Sequence, residues 1–312
     1  MERFQLDDVS VAYERHGDGP PVLFIHNGGT SRRIWREQCN AMAPHFETIA
    51  IDLPGFGDSP LPPEKLDFSR YVEIVEELIE SLGVIPLVVV GNCMGANIAA
   101  AIASDHPEWV SALVLINPLT EATFSAGQLG PLHKLERWAP RTSGALRRIS
   151  RAVVLPGVAA RVALRFQVGR KGAARGIARD PELIACNRRG EQLPALVDVL
   201  DDMEAYGQLD REGPVAGLPI CTIWGAQNRV LSAKAGVRLN EVLRPDRSEV
   251  IQGCGHLVML EDPQAVTQII EEFLAGIPDT GSGADTGSGT DTVSAADTDA
   301  SENSVDSPRT PA

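Results

Sequence analysis

The stretch Pro86-Leu87-Val88-Val89-Val90-Gly91-Asn92-Cys93-Met94-Gly95, followed at once by Ala96-Asn97-Ile98-Ala99-Ala100-Ala101-Ile102, decides how the rest of the chain is read. The run up to Val90 is apolar with no polar alternation, the pattern of a strand buried on both faces. The alanine-rich run behind it reads as helix. Gly91 and Gly95 stand two residues before and two after Cys93. A strand that becomes a helix this abruptly lifts one side chain above the sheet, and small residues at those two positions relieve the crowding. The spacing therefore predicts a sharp strand-to-helix turn with Cys93 at its apex.

Working outward, strands are predicted over 9–14, 22–26, 46–52, 86–91 and 111–117, with helical patterns at 31–43, 67–82 and 93–105. Apolar strands alternating with helices imply an α/β fold with a mostly parallel central sheet flanked by helices. Residues 118–213 break the rhythm, with several helical stretches and no good strand, before 217–225 and 247–253 resume as strands. The expected organisation is a core of 1–117 and 214–276 with an inserted helical cap at 118–213. A low-complexity tail follows at 277–312, with Asp279, Asp285, Asp291 and Asp297 falling six apart. Nothing in that tail can bury a core, so disorder is expected. It lacks the Gly-Gly-x-Gly-x-Asp nonamer of calcium-binding repeats.

The 312 residues suffice for one large core and a small accessory domain. A net charge of -14 argues against nucleic-acid binding, which needs a basic face. That average hides an asymmetry: residues 131–190 hold 14 Lys and Arg against three acids, so this segment is strongly basic. A basic run is most simply a solvated face balancing an acidic body. It could also steer an anionic acyl carrier, such as a CoA or carrier-protein thioester, or lie on an anionic membrane surface. No cationic start with an apolar run opens the chain, and no stretch is long enough to span a bilayer, so a cytoplasmic location is expected. Five scattered cysteines without C-x-x-C spacing argue against disulfides and thiolate zinc sites. Cys39, Cys186 and Cys221 read as packing, and Cys254 as loop filling. His16, His45, His106 and His133 lack ligand spacing and read as surface or capping residues.

Four further motifs accompany the turn in order: His26-Asn27-Gly28-Gly29, Asp52-Leu53-Pro54-Gly55-Phe56-Gly57-Asp58-Ser59, Trp224-Gly225-Ala226-Gln227-Asn228, and Gly253-Cys254-Gly255-His256 with Glu261-Asp262-Pro263. Together they resemble the α/β-hydrolase superfamily over about residues 9–276. The resemblance implies Cys93 as nucleophile and His256 as general base and acid. It also implies an oxyanion hole from the backbone N–H groups of Asn27 and Met94, with His26 bracing that loop. The sequence departs from the family twice, with sulfur as the nucleophile and Asn228 where an aspartate is expected. A thiol beside a histidine and a helix N-terminus can ionise at rest, giving a thiolate–imidazolium pair whose ring an Asn side chain suffices to orient. Glu121, just past the strand ending at Asn117, is the alternative acid.

The resulting expectation is a hydrolase or acyltransferase that cleaves an ester or thioester of a small-molecule acyl substrate through a Cys93 thioacyl-enzyme, needing no metal or organic cofactor. The alternatives are a lyase or cyclase in the same pocket, or a non-catalytic binding protein. Trp35, Phe124, Trp138 and Phe166 are candidate pocket liners. Acyl group, acceptor and oligomeric state are open.

Overall fold

The computed structural model describes residues 1–131, 150, 153–188, 191–212 and 217–277. The expected tail, save Ile277, and the cap residues His133 and Trp138 lie outside the described residues. Eight strands, β1 (Glu2–Leu6), β2 (Val9–His16), β3 (Pro21–Ile25), β4 (Glu47–Ile51), β5 (Leu87–Asn92), β6 (Val110–Ile116), β7 (Ile220–Gly225) and β8 (Arg247–Ile251), form one sheet. Their spatial order is β1-β2-β4-β3-β5-β6-β7-β8. Pairings β1–β2 and β2–β4 are antiparallel and all the others parallel.

The five strands expected from the apolar runs in the first 117 residues are all present. β1 was not expected: it is a short edge strand with mostly exposed residues, so it carries no buried run to read. In β3, Leu23 and Ile25 enter one apolar cluster while Val22 and Phe24 enter another, so the sheet has a core on each face. The helices covering it are α1 (Arg36–Met42), α2 (Phe68–Leu82) and α3 (Met94–Asp105). α2 starts where the Asp67 side chain accepts from Arg70 N at 2.9 Å and stops at Gly83, whose φ of 63° continues no helix.

Between β6 and β7 the described residues contain helices and no strand: α4 (Glu121–Ser125), α5 (Gly157–Gln167), α6 (Arg170–Ala174), α7 (Pro181–Asn187), α8 (Gln192–Asp201), α9 (Met203–Tyr206) and α10 (Gln208–Glu212). These helices fall in the span 118–213 expected to form the inserted cap, and are termed the cap. After β7 come α11 (Ala233–Leu243), α12 (Val258–Glu261) and α13 (Pro263–Ala275). No helix of the described residues is long and apolar enough to cross a membrane.

Below the cap, the second motif folds around Asp52, whose carboxylate accepts from Arg32 N and Asp58 N, each at 2.7 Å, and pairs with the buried Arg32 guanidinium. Arg32 also reaches Glu14 at 2.8 Å and Asp58 at 3.0 Å, so no charge is left unpaired in this buried cluster.

Two glycines allow the turn between β5 and α3. A Cβ on Gly91 would lie 2.2 Å from Gly95 O, and one on Gly95 would lie 2.4 Å from Ile25 O. Both obstacles are backbone, so neither can move aside. Gly95→Ala is expected to lose about 3 kcal/mol of stability through overpacking; a denaturant midpoint equal to that of the parent would refute the close packing of α3 on β3.

Candidate active site

Cys93 sits between β5 and α3 with φ 57° and ψ -118°, a conformation that costs a non-glycine residue of order 1–3 kcal/mol. Its own N–H is tied to Ile116 O at 2.9 Å, so the strain is held by β6. The side chain opens into a cavity of about 700 Å³ beneath the cap, lined also by His256, Met94, Gly28 and Gly29. The walls are apolar, with Leu119, Phe124, Leu129, Phe166, Leu196 and Met203 among them, and none of its described lining residues is charged. The Met94 N–H faces the sulfur, and the Asn27 N–H has no acceptor among the described residues. Two backbone donors, one turned to the sulfur and one without an acceptor among the described residues, suit an oxyanion hole.

His256 is 2% exposed and is held by its backbone from both sides. Its N–H donates to Gln167 O in the cap at 2.7 Å, and its carbonyl accepts from Asn117 Nδ2 at 3.2 Å. Burial lowers its pKa to about 4, and burial raises the Cys93 thiol to about 12, eased by the Met94 N–H. Both shifts favour the neutral forms of the two groups over a thiolate–imidazolium pair. No hydrogen bond joins the two side chains in this structure.

Asn228 does meet His256, its Nδ2 lying 3.1 Å from Nδ1. The amide orientation is set by its oxygen, which accepts from Val230 N and Leu231 N, both at 3.0 Å. Nδ2 is then the group facing the ring, and because it can only donate, Nδ1 must accept. The ring proton consequently resides on Nε2. An imidazolium would set Nδ1–H against Nδ2–H, an unfavourable donor–donor contact.

Other residues complete the frame. Asn92 Nδ2 donates to Asn27 Oδ1 at 3.0 Å, Asn117 Nδ2 reaches Asn92 Oδ1 at 3.3 Å, and Gly225 N donates to Asn117 Oδ1 at 3.1 Å. These three asparagines join the oxyanion loop, the elbow and the acid loop under the His256 carbonyl. Glu261, 1% exposed, accepts from Gly255 N at 2.8 Å and Leu257 N at 3.2 Å on either side of His256. Its other oxygen accepts from cap residues Gly169 at 2.7 Å and Gly172 at 3.3 Å, clamping cap to histidine loop. Asn92, Asn117 and Glu261 stood inside or beside the sequence motifs without a role. Only long-range pairing reveals one.

The remaining candidates divide. Glu121 is exposed at the start of α4, and no carboxylate contributes to the His256 shift, so the alternative acid is not brought to the ring. Phe124 and Phe166 line the cavity, but Trp35 is fully buried in the core against Phe24, at 5.3 Å between ring centroids, and does not. His26 accepts at Nε2 from Leu53 N at 2.9 Å and donates from Nδ1 to Asn27 O at 2.7 Å, bracing the oxyanion loop. Cys39, Cys186, Cys221 and Cys254 are buried thiols that do not line the cavity.

The model of the alpha/beta hydrolase fold family matches residues 20–263, and the chain belongs to that family. A monoacylglycerol lipase, abhd6-B of Xenopus laevis, is 25% identical over 86% of this chain and 80% of its own length. The pimeloyl-[acyl-carrier protein] methyl ester esterase of Aeromonas hydrophila is 25% identical over 85% of this chain and 100% of its own. A thermophilic esterase from Thermogutta terrifontis superposes with a TM-score of 0.72 at 22% identity, covering 88% of this chain and 98% of that one.

A thiol held neutral by burial should react with iodoacetamide only as it ionises. Alkylation of Cys93, followed by mass, is expected to rise steadily into the alkaline range without a plateau near neutrality. A plateau spanning pH 5 to 8 or so would instead report a resting thiolate–imidazolium pair.

Proposed function

We propose that this chain is an esterase-type hydrolase that carries the acyl group of an apolar ester or thioester on Cys93. One observation carries the reading: an elbow cysteine and a histidine share a single apolar cavity, with the Met94 N–H turned to the sulfur. The cavity volume and uncharged walls suit an aliphatic or aromatic acyl chain. The relatives described as a lipase and a methyl ester esterase support ester cleavage. None of the described cap arginines lines the cavity, so they would act on substrate arrival and not on the bound acyl chain.

For attack, the thiol proton must pass to Nε2, and this requires the ring proton to reside on Nδ1. Asn228 would then have to present oxygen to Nδ1, by turning its amide away from Val230 N and Leu231 N. Each donor stranded by that turn costs about 1–3 kcal/mol, so nucleophile activation is slow in this geometry. Once the proton has moved, the thiolate adds to the carbonyl carbon and the oxyanion rests on the Asn27 and Met94 N–H groups. Nε2–H protonates the departing oxygen or sulfur as its bond to carbon breaks. Water then attacks the thioester, giving its proton to Nε2, and the Cys93 thiol is restored with release of the acid.

The same geometry favours a second reading. A ring that carries its proton on Nε2 donates better than it accepts, which suits protonating a substrate in a lyase-type reaction with no acyl adduct.

Intact-protein mass spectrometry with activated esters and acyl-CoA thioesters separates the two. An acyl adduct on the parent protein and none on Cys93→Ala is expected; turnover without an adduct in rapid-quench samples would select the lyase reading. Asn228→Asp keeps an oxygen for Val230 and Leu231 and offers a second to Nδ1–H, freeing Nε2 as a base. Replacing carboxylate by amide in a serine triad costs about 10⁴ in kcat, and the reverse change here is expected to raise the acylation rate at least about tenfold. An unchanged or slower rate would show that Asn228 already serves the ring as it stands.

A further inference from the structure

Ten large hydrophobic side chains are exposed among the described residues, and five of them gather in the cap: Val153 at 39%, Val154 at 60%, Val158 at 71%, Val162 at 64% and Leu200 at 37%. Four come from one segment, α5 and its approach, and Leu200 comes from α8. Val162 and Leu200 also line the active-site cavity. They are at once outside and inside, so they mark its mouth. Val158 and Val162 are one helical turn apart and share a face of α5.

Charge accompanies this apolar rim. Arg161 and Arg165 are exposed on α5, and Arg188 is exposed with its Nε donating to the carbonyl of the mouth residue Leu155 at 3.2 Å. None of the three makes an ion pair with a described residue. No acid occurs in the sequence between Glu136 and Asp180. Asp180 and Glu182 turn instead to Arg36 and Arg33 of the core.

We propose that the rim of Val153, Val154, Val158 and Val162, with Arg161, Arg165 and Arg188 around it, docks the cavity mouth on an anionic lipid surface. Branched aliphatic side chains exposed on a helix, beside arginines that make no ion pair with a described residue, are matched by an acyl layer under anionic headgroups. A soluble anionic carrier would answer the arginines but leave the valines in water. Docking in this orientation would set the mouth against the acyl region, so that an apolar substrate could enter without crossing water. The inference stands on the surface and not on the chemistry assigned to Cys93.

The test is sedimentation of the full chain with vesicles of phosphatidylcholine alone and of phosphatidylcholine with phosphatidylglycerol, at low and high salt. The parent protein is expected to partition to the anionic vesicles, less so as salt rises. Val154→Asp combined with Val158→Asp should weaken that partition at least about tenfold, with an unaltered circular dichroism spectrum and unchanged turnover of a water-soluble ester. Neither residue lines the cavity. Parent protein left in the supernatant with both vesicles would overturn the proposal. So would binding that salt abolishes but the valine changes do not affect, since that is charge contact without insertion. Vesicle binding by a protein inactive on every ester would leave this inference standing while removing the esterase reading.

Discussion

Everything at the site hangs on one strained residue. Cys93 keeps φ 57° only because neighbouring backbone leaves it no alternative: Ile116 O holds its N–H, and Gly91 and Gly95 let α3 close onto the end of β3. The parallel pairing of β3 with β5 brings Ile25 beside Gly91, so the loop after β3, which carries Asn27, must pass over the elbow. The Asn27 and Met94 N–H groups, the sulfur and the cavity floor therefore depend on this one turn.

His256 is brought to the same point differently, by hydrogen bonds from groups far apart in sequence. Asn117 and Gln167 hold its backbone, and Glu261 holds the residues on either side. Glu261 is itself buried, and burial raises its pKa while four backbone N–H groups pull it down. Because two of those N–H groups belong to the cap, the cap cannot leave the histidine loop at Gly169–Gly172 without stranding a buried carboxylate. Any opening of the cavity must occur elsewhere. The mouth between α5 and α8 meets that requirement.

How much of this could be read beforehand follows from what each feature depends on. The elbow and the histidine loop are local: a few residues with glycines at set spacings carry the backbone geometry, and the α/β sheet followed from strands too apolar to face water. β1 escaped because an exposed edge strand has no apolar signature. Trp35 stands near a motif, where an aromatic residue suits a pocket wall and a core equally, and only packing on Phe24 decides for the core. The asparagine network and the Glu261 clamp join residues whose partners are distant in sequence, beyond the reach of local pattern. The basic charge of the cap was plain, but whether its arginines point into the cavity or away from it depends on the face of each helix.

Asn228 shows why the same residue type can mean opposite things. An amide can orient a histidine in either of two ways, and sequence cannot distinguish them. Val230 N and Leu231 N choose by claiming its oxygen, which leaves a donor against Nδ1 and fixes the proton on Nε2. A carboxylate in that place would satisfy the same two N–H groups and still accept from the ring, so the loop is built to hold either residue while the chemistry tolerates only one equally well. With sulfur the penalty is smaller than with oxygen, because a thiol gives up its proton far more readily than an alcohol. On the proposed mechanism the two departures from the family pattern belong together: an amide-backed histidine is a weak base, and a cysteine nucleophile would ask least of it.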